Sequence, residues 1–172
     1  YLYIDFSKNI EKLGYTIGIG IDNHYFKTTD NSKYSHWLLR PLISLSYKIK
    51  NNSSIRFTSS VSPQIPEIGY LTNSIANIDE FFYTQGNTNL KPSYTYKNSL
   101  EIQYRINDNI YVSPSFFYNY HVKSQIPILV KRDENILKTY VNTDEANEFG
   151  YSISANCNVF QNFTLQPYYQ YS

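Results

Sequence analysis

An all-β chain is predicted: an antiparallel up-and-down meander of about eight long strands that is part of, or closes as, a transmembrane β-barrel. Three observations carry this. Apolar and polar residues alternate with period two over stretches of about 13–15 residues, where strands of water-soluble proteins usually run to about 5–6. Short connections alternate with long ones along the chain, as the short turns and longer outer loops of a membrane barrel do. Tyr (19) and Phe (10) are abundant among 172 residues while Met is absent, a composition that suits pleated sheet better than helix.

In chain order, Tyr15, Ile17, Ile19, Ile21, Asn23 and Tyr25 alternate with Thr16, Gly18, Gly20, Asp22 and His24. From His36 to Lys50 the apolar parity holds Trp37, Leu39, Pro41, Ile43, Leu45, Tyr47 and Ile49, and the polar parity His36, Arg40, Ser44, Ser46, Lys48 and Lys50. Ile55, Phe57 and Val61 continue the pattern against Ser54, Arg56, Thr58 and Ser60. Further on, Tyr94, Tyr96, Leu100, Ile102, Tyr104 and Ile106 oppose Thr95, Lys97, Ser99, Glu101, Gln103 and Arg105. Ile110 to Val122, Phe149 to Val159 and Phe163 to Tyr171 supply the last segments. Period two places alternate side chains on opposite faces of a sheet, so one face is apolar and aromatic while the other carries charge. A lumen wall accepts charge because it is wet. No helix is predicted.

The turns predicted at Lys50-Asn51-Asn52, Asn107-Asp108-Asn109 and Phe160-Gln161-Asn162 are short and rich in residues that tolerate turn backbones. The links over 28–35, 62–92 and 123–137 are longer, and strand boundaries within 62–92 and 123–145 are not legible in the pattern.

Several function classes lose support. A net charge of +1 with both signs scattered leaves no footprint for nucleic acid. The single Cys157 excludes an internal disulfide and a cysteine-based zinc cluster. "GIGID" lacks the strand-turn-helix context of a nucleotide-binding loop. The adjacent acid pairs Asp79-Glu80, Asp133-Glu134 and Asp144-Glu145 point opposite ways in extended chain and make poor acid/base partners. No catalytic residues, no cofactor and no enzyme activity are expected. No apolar run reaches the length of a membrane helix, which leaves a strand-built membrane protein open.

The segment "GNTNLKPSYTYKNSLEIQYRIN" resembles the motif that leads into a strand in the TonB-dependent receptor superfamily, particularly the barrels of Bacteroidetes outer membranes. Gly86, Asn89, Leu90, Lys91 and Pro92 carry the resemblance. "LLRPLISLSYKIKNNSSIRFTSSVSPQIPEI" is similar to the family's strand, short turn and outgoing strand. In "KTYVNTDEANEFGYSISANCNVFQNFTLQPYYQYS", Tyr140, Asn142, Ala146 and Gly150 stand at the places of another family motif, with Ser152 where Glu is frequent. The resemblance implies residues 1–172 as a single internal segment of a larger barrel, about a third of one with about 22 strands. The plug domain and the aromatic-ended C-terminal strand are expected to be absent from it. It also implies a bacterial outer-membrane location and contact with outer-membrane lipid. The parent protein would be a receptor taking up a small nutrient ligand with a plug and a TonB-type energy-coupling system. Two other readings stay open here: a soluble β-domain that binds carbohydrate or protein through its loops, and a small barrel enzyme acting on lipids.

Candidate sites follow from placement. Trp37, Tyr118 and Tyr120 lie near strand ends on the apolar parity, where amphipathic rings favour the level of lipid head groups. Tyr70, Phe81, Phe82 and Tyr83 lie in the longest link, free either to stack on a ligand or to pack the loop on itself. His24 and His36 share the polar parity and would face each other across a hairpin, a pair with no third metal ligand in view. Gly86, Asn89, Leu90, Lys91 and Pro92 are expected to shape the passage from loop to strand, with Gly and Asn reversing the chain and Pro beginning the strand. His121 receives no role.

Overall fold

The structure, a computed structural model, describes residues 1–27, 33–50, 53–160 and 163–172. The expected turn residues Asn51, Asn52, Gln161 and Asn162, and residues 28–32 of the first long link, lie outside the described ones. Long antiparallel strands dominate: β1 (Leu2–Ile10), β2 (Leu13–Lys27), β3 (Lys33–Lys48), β4 (Ser54–Gln64), and the shorter β5 (Ile75–Asn77) and β6 (Phe82–Gln85). After these come β7 (Ser93–Asn107), β8 (Ile110–Val122), β9 (Gln125–Arg132), β10 (Asn135–Asn142), β11 (Glu145–Phe160), β12 (Phe163–Leu165) and β13 (Tyr168–Tyr171).

The wall is one sheet in the order β1-β2-β3-β4-β7-β8-β11-β12, with β13 also paired to β11. It is open: its described edges do not pair with each other, so the fragment forms an arc of wall and does not close as a small barrel. The eighth leg is split at Gln166-Pro167 because Pro has no N–H for the ladder. The Pro167 carbonyl still accepts a bond from Ala155 N at 3.0 Å. Two short turns among the described residues lie at one end, at Glu11-Lys12 and Asp108-Asn109. In the second, Asn109 N bonds the Asn107 side chain at 2.9 Å and Arg105 reaches Asp108 at 2.6 Å.

Cross-strand register keeps the apolar parity on one face of the sheet. Ile4, Ile19 and Pro41 align, as do Phe6, Ile17 and Ile43, then Tyr15 with Leu45 and Phe57. This face is turned outward: Ile17 is 55% exposed, Ile19 54% and Trp37 65%. The polar parity is turned inward, where Asp22 is only 7% exposed. A water-soluble sandwich has the opposite arrangement, and the soluble-domain alternative fails on this point. Gly18 and Gly20 stand on the inward face, and the Tyr3 ring lies across both; a Cβ on Gly20 would sit 3.1 Å from Tyr3 Cδ2 and one on Gly18 would meet the Tyr3 hydroxyl. The glycines of "GIGID" therefore make room for a ring.

Two of the long links carry secondary structure of their own. The 62–92 link holds a four-residue helical turn, α1 (Ile68–Leu71), together with β5 and β6. The 123–137 link lies within the β9–β10 hairpin. These four strands form a second sheet, β5-β6-β10-β9, in which β6 and β10 run parallel. Strands of three or four residues are too short for a period to register, and "IPILV" is a continuous apolar run with no alternation.

Replacing outward Ile19 with Arg should destabilise the full-length barrel in lipid vesicles by about 2–4 kcal/mol near the bilayer midplane. Thr16→Arg, on the lumen face, should cost much less. Urea titration of the folded, heat-modifiable species measures both, and equal costs would mean the faces are misassigned.

Candidate functional site

The second sheet and α1 sit where the strands of the wall end in long connections, and form a cap there. Its small core consists of Tyr34 from the inward face of β3 with Leu71 and Leu90, flanked by Phe26, Ile65, Tyr70 and Tyr140. Phe26 and Tyr34 stack with centroids 4.7 Å apart, and Leu71 and Leu90 are almost fully buried. Part of the chain's interior thus joins an apolar patch of the lumen wall to the cap.

The family-like residues build the joint between cap and wall. Gly86 N donates to Thr72 O at 2.9 Å and Asn87 N to Tyr70 O at 2.6 Å. A Cβ on Gly86 would lie 2.5 Å from Tyr70 O and 2.6 Å from Thr72 O. Glycine is needed here for close backbone approach, and its φ is not positive. Asn87 Oδ1 accepts from Asn89 N at 3.0 Å, making a local turn, and Leu90 drops into the core. The Lys91 backbone is held on both sides by one amide: its N–H donates to Asn142 Oδ1 at 2.9 Å, and its carbonyl accepts from Asn142 Nδ2 at 3.0 Å. Gln125 Nε2 adds a second bond to that carbonyl at 2.9 Å. Pro92, also buried, needs no donor partner as β7 begins. These residues shape the approach to a strand, and their partner Asn142 belongs to the other family-like motif.

Of the loop aromatics, Tyr70 is committed to packing: its ring stacks on Tyr140 at 3.9 Å. The neighbouring Glu67 carboxylate pushes the Tyr70 phenol above its ordinary pKa. Phe81 is exposed and Phe82 partly buried. Tyr83 donates from its hydroxyl to Glu80 O at 3.3 Å and lines a cavity of about 250 Å³ with Ile75, Leu137, Arg132, Asp133 and Asn135. The cavity combines an aromatic face, an aliphatic floor and polar groups of both signs.

His24 and His36 are indeed cross-strand partners. Their rings take different neighbours, however: His24 Nε2 lies 3.5 Å from Asp22 Oδ2, and His36 meets the Tyr34 ring edge-on at 4.5 Å. Among the described residues no group of three or more metal-ligating side chains occurs. Asp22 Oδ2 also accepts from Arg40 Nε at 3.0 Å, while its Oδ1 is buried without a partner among the described residues. His121, to which the sequence reading gave no role, bridges three strands of the lumen face. Thr95 Oγ1 lies 3.2 Å from its Nδ1 and Glu148 Oε2 lies 3.3 Å from its Nε2, with Asn119 Nδ2 donating to the same oxygen at 2.9 Å. Shared polar parity on neighbouring strands was the available signal.

On the outward face, Trp37 is exposed, Tyr118 donates to Asn147 Oδ1 at 2.7 Å, and Tyr120 packs on Tyr96 at 5.9 Å. All three lie toward the cap end of their strands.

A family model described as "Outer membrane protein beta-barrel family" matches residues 2–172. No curated protein matches the chain. Among solved structures, the chain is similar to the siderophore receptor PirA of Acinetobacter baumannii, with 18% identity, TM-score 0.72, and coverage of 98% of this chain and 26% of that one. It is similar to PirA of Pseudomonas aeruginosa at 12% identity and TM-score 0.76, covering 98% and 33% of the respective chains. The copper transporter OprC gives 11% identity and TM-score 0.77, covering 98% and 27%. The chain therefore spans about a quarter to a third of the length of these structures.

Gly86→Ala should weaken the cap by about 1–3 kcal/mol, because the methyl group meets two backbone carbonyls that cannot retreat. Limited proteolysis of the full-length barrel measures this, with faster cleavage expected within 65–92 and unchanged heat modifiability of the wall.

Proposed function

The chain belongs to the outer membrane protein beta-barrel family, and from that premise we propose that it is one section of the barrel of a nutrient-uptake receptor. The observation that carries the reading is the overlay of 98% of the chain on siderophore receptors and a copper transporter, and the reading places the cap at the outer end of the wall. In this reading the apolar face meets outer-membrane lipid, with Trp37, Tyr118 and Tyr120 near one head-group level. The polar face lines a lumen that a plug domain outside this segment fills. The residues have a binding and guiding role and no catalytic one, and coupling to a TonB-type system belongs to the parent protein. The Bacteroidetes affinity rests on the motif residues alone.

Ligand contact is assigned to the cap, at Tyr83 with Arg132 and Asn135 beside it and Phe81 exposed nearby; Tyr70 and Phe82 support the fold of the cap. The nutrient class is a metal chelate or a glycan, both of which present rings or hydroxyl groups to an aromatic face and polar side chains.

The test is complementation. The full-length parent is expressed in a strain lacking its own siderophore receptors and supplied in turn with ferric siderophores, copper and oligosaccharides. One ligand should restore TonB-dependent growth or uptake, and Tyr83→Ala with Arg132→Ala should reduce it about tenfold or more by removing stacking and a charge-assisted bond. Absence of TonB-dependent uptake across the panel would remove the receptor reading and leave only the wall.

A further inference from the structure

We propose that the two long connections, 65–92 and 123–144, form one cooperative cap that orders and loosens as a unit, with the Asn142 amide tying the two together where they leave the wall. The proposal concerns the fold of the cap and does not depend on what the barrel takes up.

Neither connection is self-sufficient. β5 and β6 have three and four residues, and an isolated hairpin of that size is not stable in water. Their sheet is completed by β10, through parallel pairing of Phe82, Tyr83 and Thr84 with Ile136, Leu137 and Lys138. The Ile136 N–H donates to Phe81 O at 2.8 Å. In return, the first connection secures the root of the β9–β10 hairpin. Asn142 uses its Oδ1 and Nδ2 on the Lys91 backbone, and the same Nδ2 reaches Lys123 O at 2.6 Å. Asn87 Nδ2 donates to Tyr140 O at 2.9 Å, and the Tyr140 ring lies on Tyr70. Each connection thus satisfies backbone groups of the other, and opening one leaves the other's polar groups without partners.

Lys123, where β9 leaves β8, has φ 57, a left-handed backbone that a non-glycine residue holds only when neighbours enforce it. Its N–H bonds Asp144 O at 3.2 Å, and Thr143 N bonds Ser124 O at 2.8 Å. The 250 Å³ cavity crosses the seam, with Ile75 and Tyr83 from the first connection and Arg132, Asn135 and Leu137 from the second. It exists only while the two are joined, so anything filling it holds both.

Hydrogen exchange of the full-length barrel in nanodiscs tests this. In the unmodified protein, at alkaline pH where opening limits exchange, segments 75–86 and 126–142 should lose protection with one shared rate constant. Two distinct rate constants would overturn the proposal. Asn142→Ala should speed exchange about tenfold or more in both segments, with β2 and β3 unchanged. Tyr70→Ala, made from the other side of the joint, should produce the same paired response. Acceleration confined to the mutated connection, in either variant, would overturn it.

Discussion

Lipid offers backbone amides no hydrogen bonds, so every N–H and C=O at membrane depth has to be paired within the protein. That requirement underlies the rest of the structure. It forces long unbroken ladders, such as the thirteen-residue register of β8 on β11 from Val122–Glu145 to Ile110–Cys157. The ladder in turn imposes period two, and period two sorts side chains into an oily face and a wet one. The turned-out Ile and Tyr side chains are exposed because the solvent that suits them is hydrocarbon, and the sparse buried core is the consequence of a wall with no second layer.

The cap obeys a different rule. Beyond the membrane, water can satisfy the backbone, yet the cap adds side-chain amides to its β6–β10 pairing to tie its pieces together. Asn142, Gln125 and Asn87 each span a large sequence separation to reach a carbonyl or N–H. Such bonds carry directional information that apolar contacts lack, and they join one connection to the other without extending the sheet. The apolar part of the joint, Tyr34 with Leu71 and Leu90, sits on the lumen side of β3, so the cap leans on the interior of the wall.

The wall was legible because its signal repeats. Tyr15 to Tyr25 and Trp37 to Ile49 each show the alternation many times, and the register that aligns them keeps one parity of both strands on the apolar face. The cap was not legible, since β5 and β6 are shorter than the window in which a period can be seen. The residues that join the cap were recognisable in part. Gly86, Leu90 and Pro92 stood out as a motif, as did Tyr140 and Asn142. Their pairing was hidden, because a contact between positions 91 and 142 leaves no trace in local pattern. For the same reason the Thr95–His121–Glu148 network went unseen: it depends on the register of β7, β8 and β11. The aromatic loop residues illustrate the limit in the other direction. Tyr70 and Tyr83 look alike in sequence, while one is consumed by a stack and the other lines a cavity.

The orientation of the two faces can be read residue by residue. Single cysteines at Ile43, Ser44, Leu45 and Ser46, in the full-length barrel with Cys157 replaced by Ser, carry spin labels in a bilayer. Accessibility to oxygen, which concentrates in lipid, should be high at positions 43 and 45 and low at 44 and 46, with the reverse order for a water-soluble nickel chelate. A uniform profile, or oxygen access at the serine positions, would show that the tyrosine- and isoleucine-bearing face does not meet lipid.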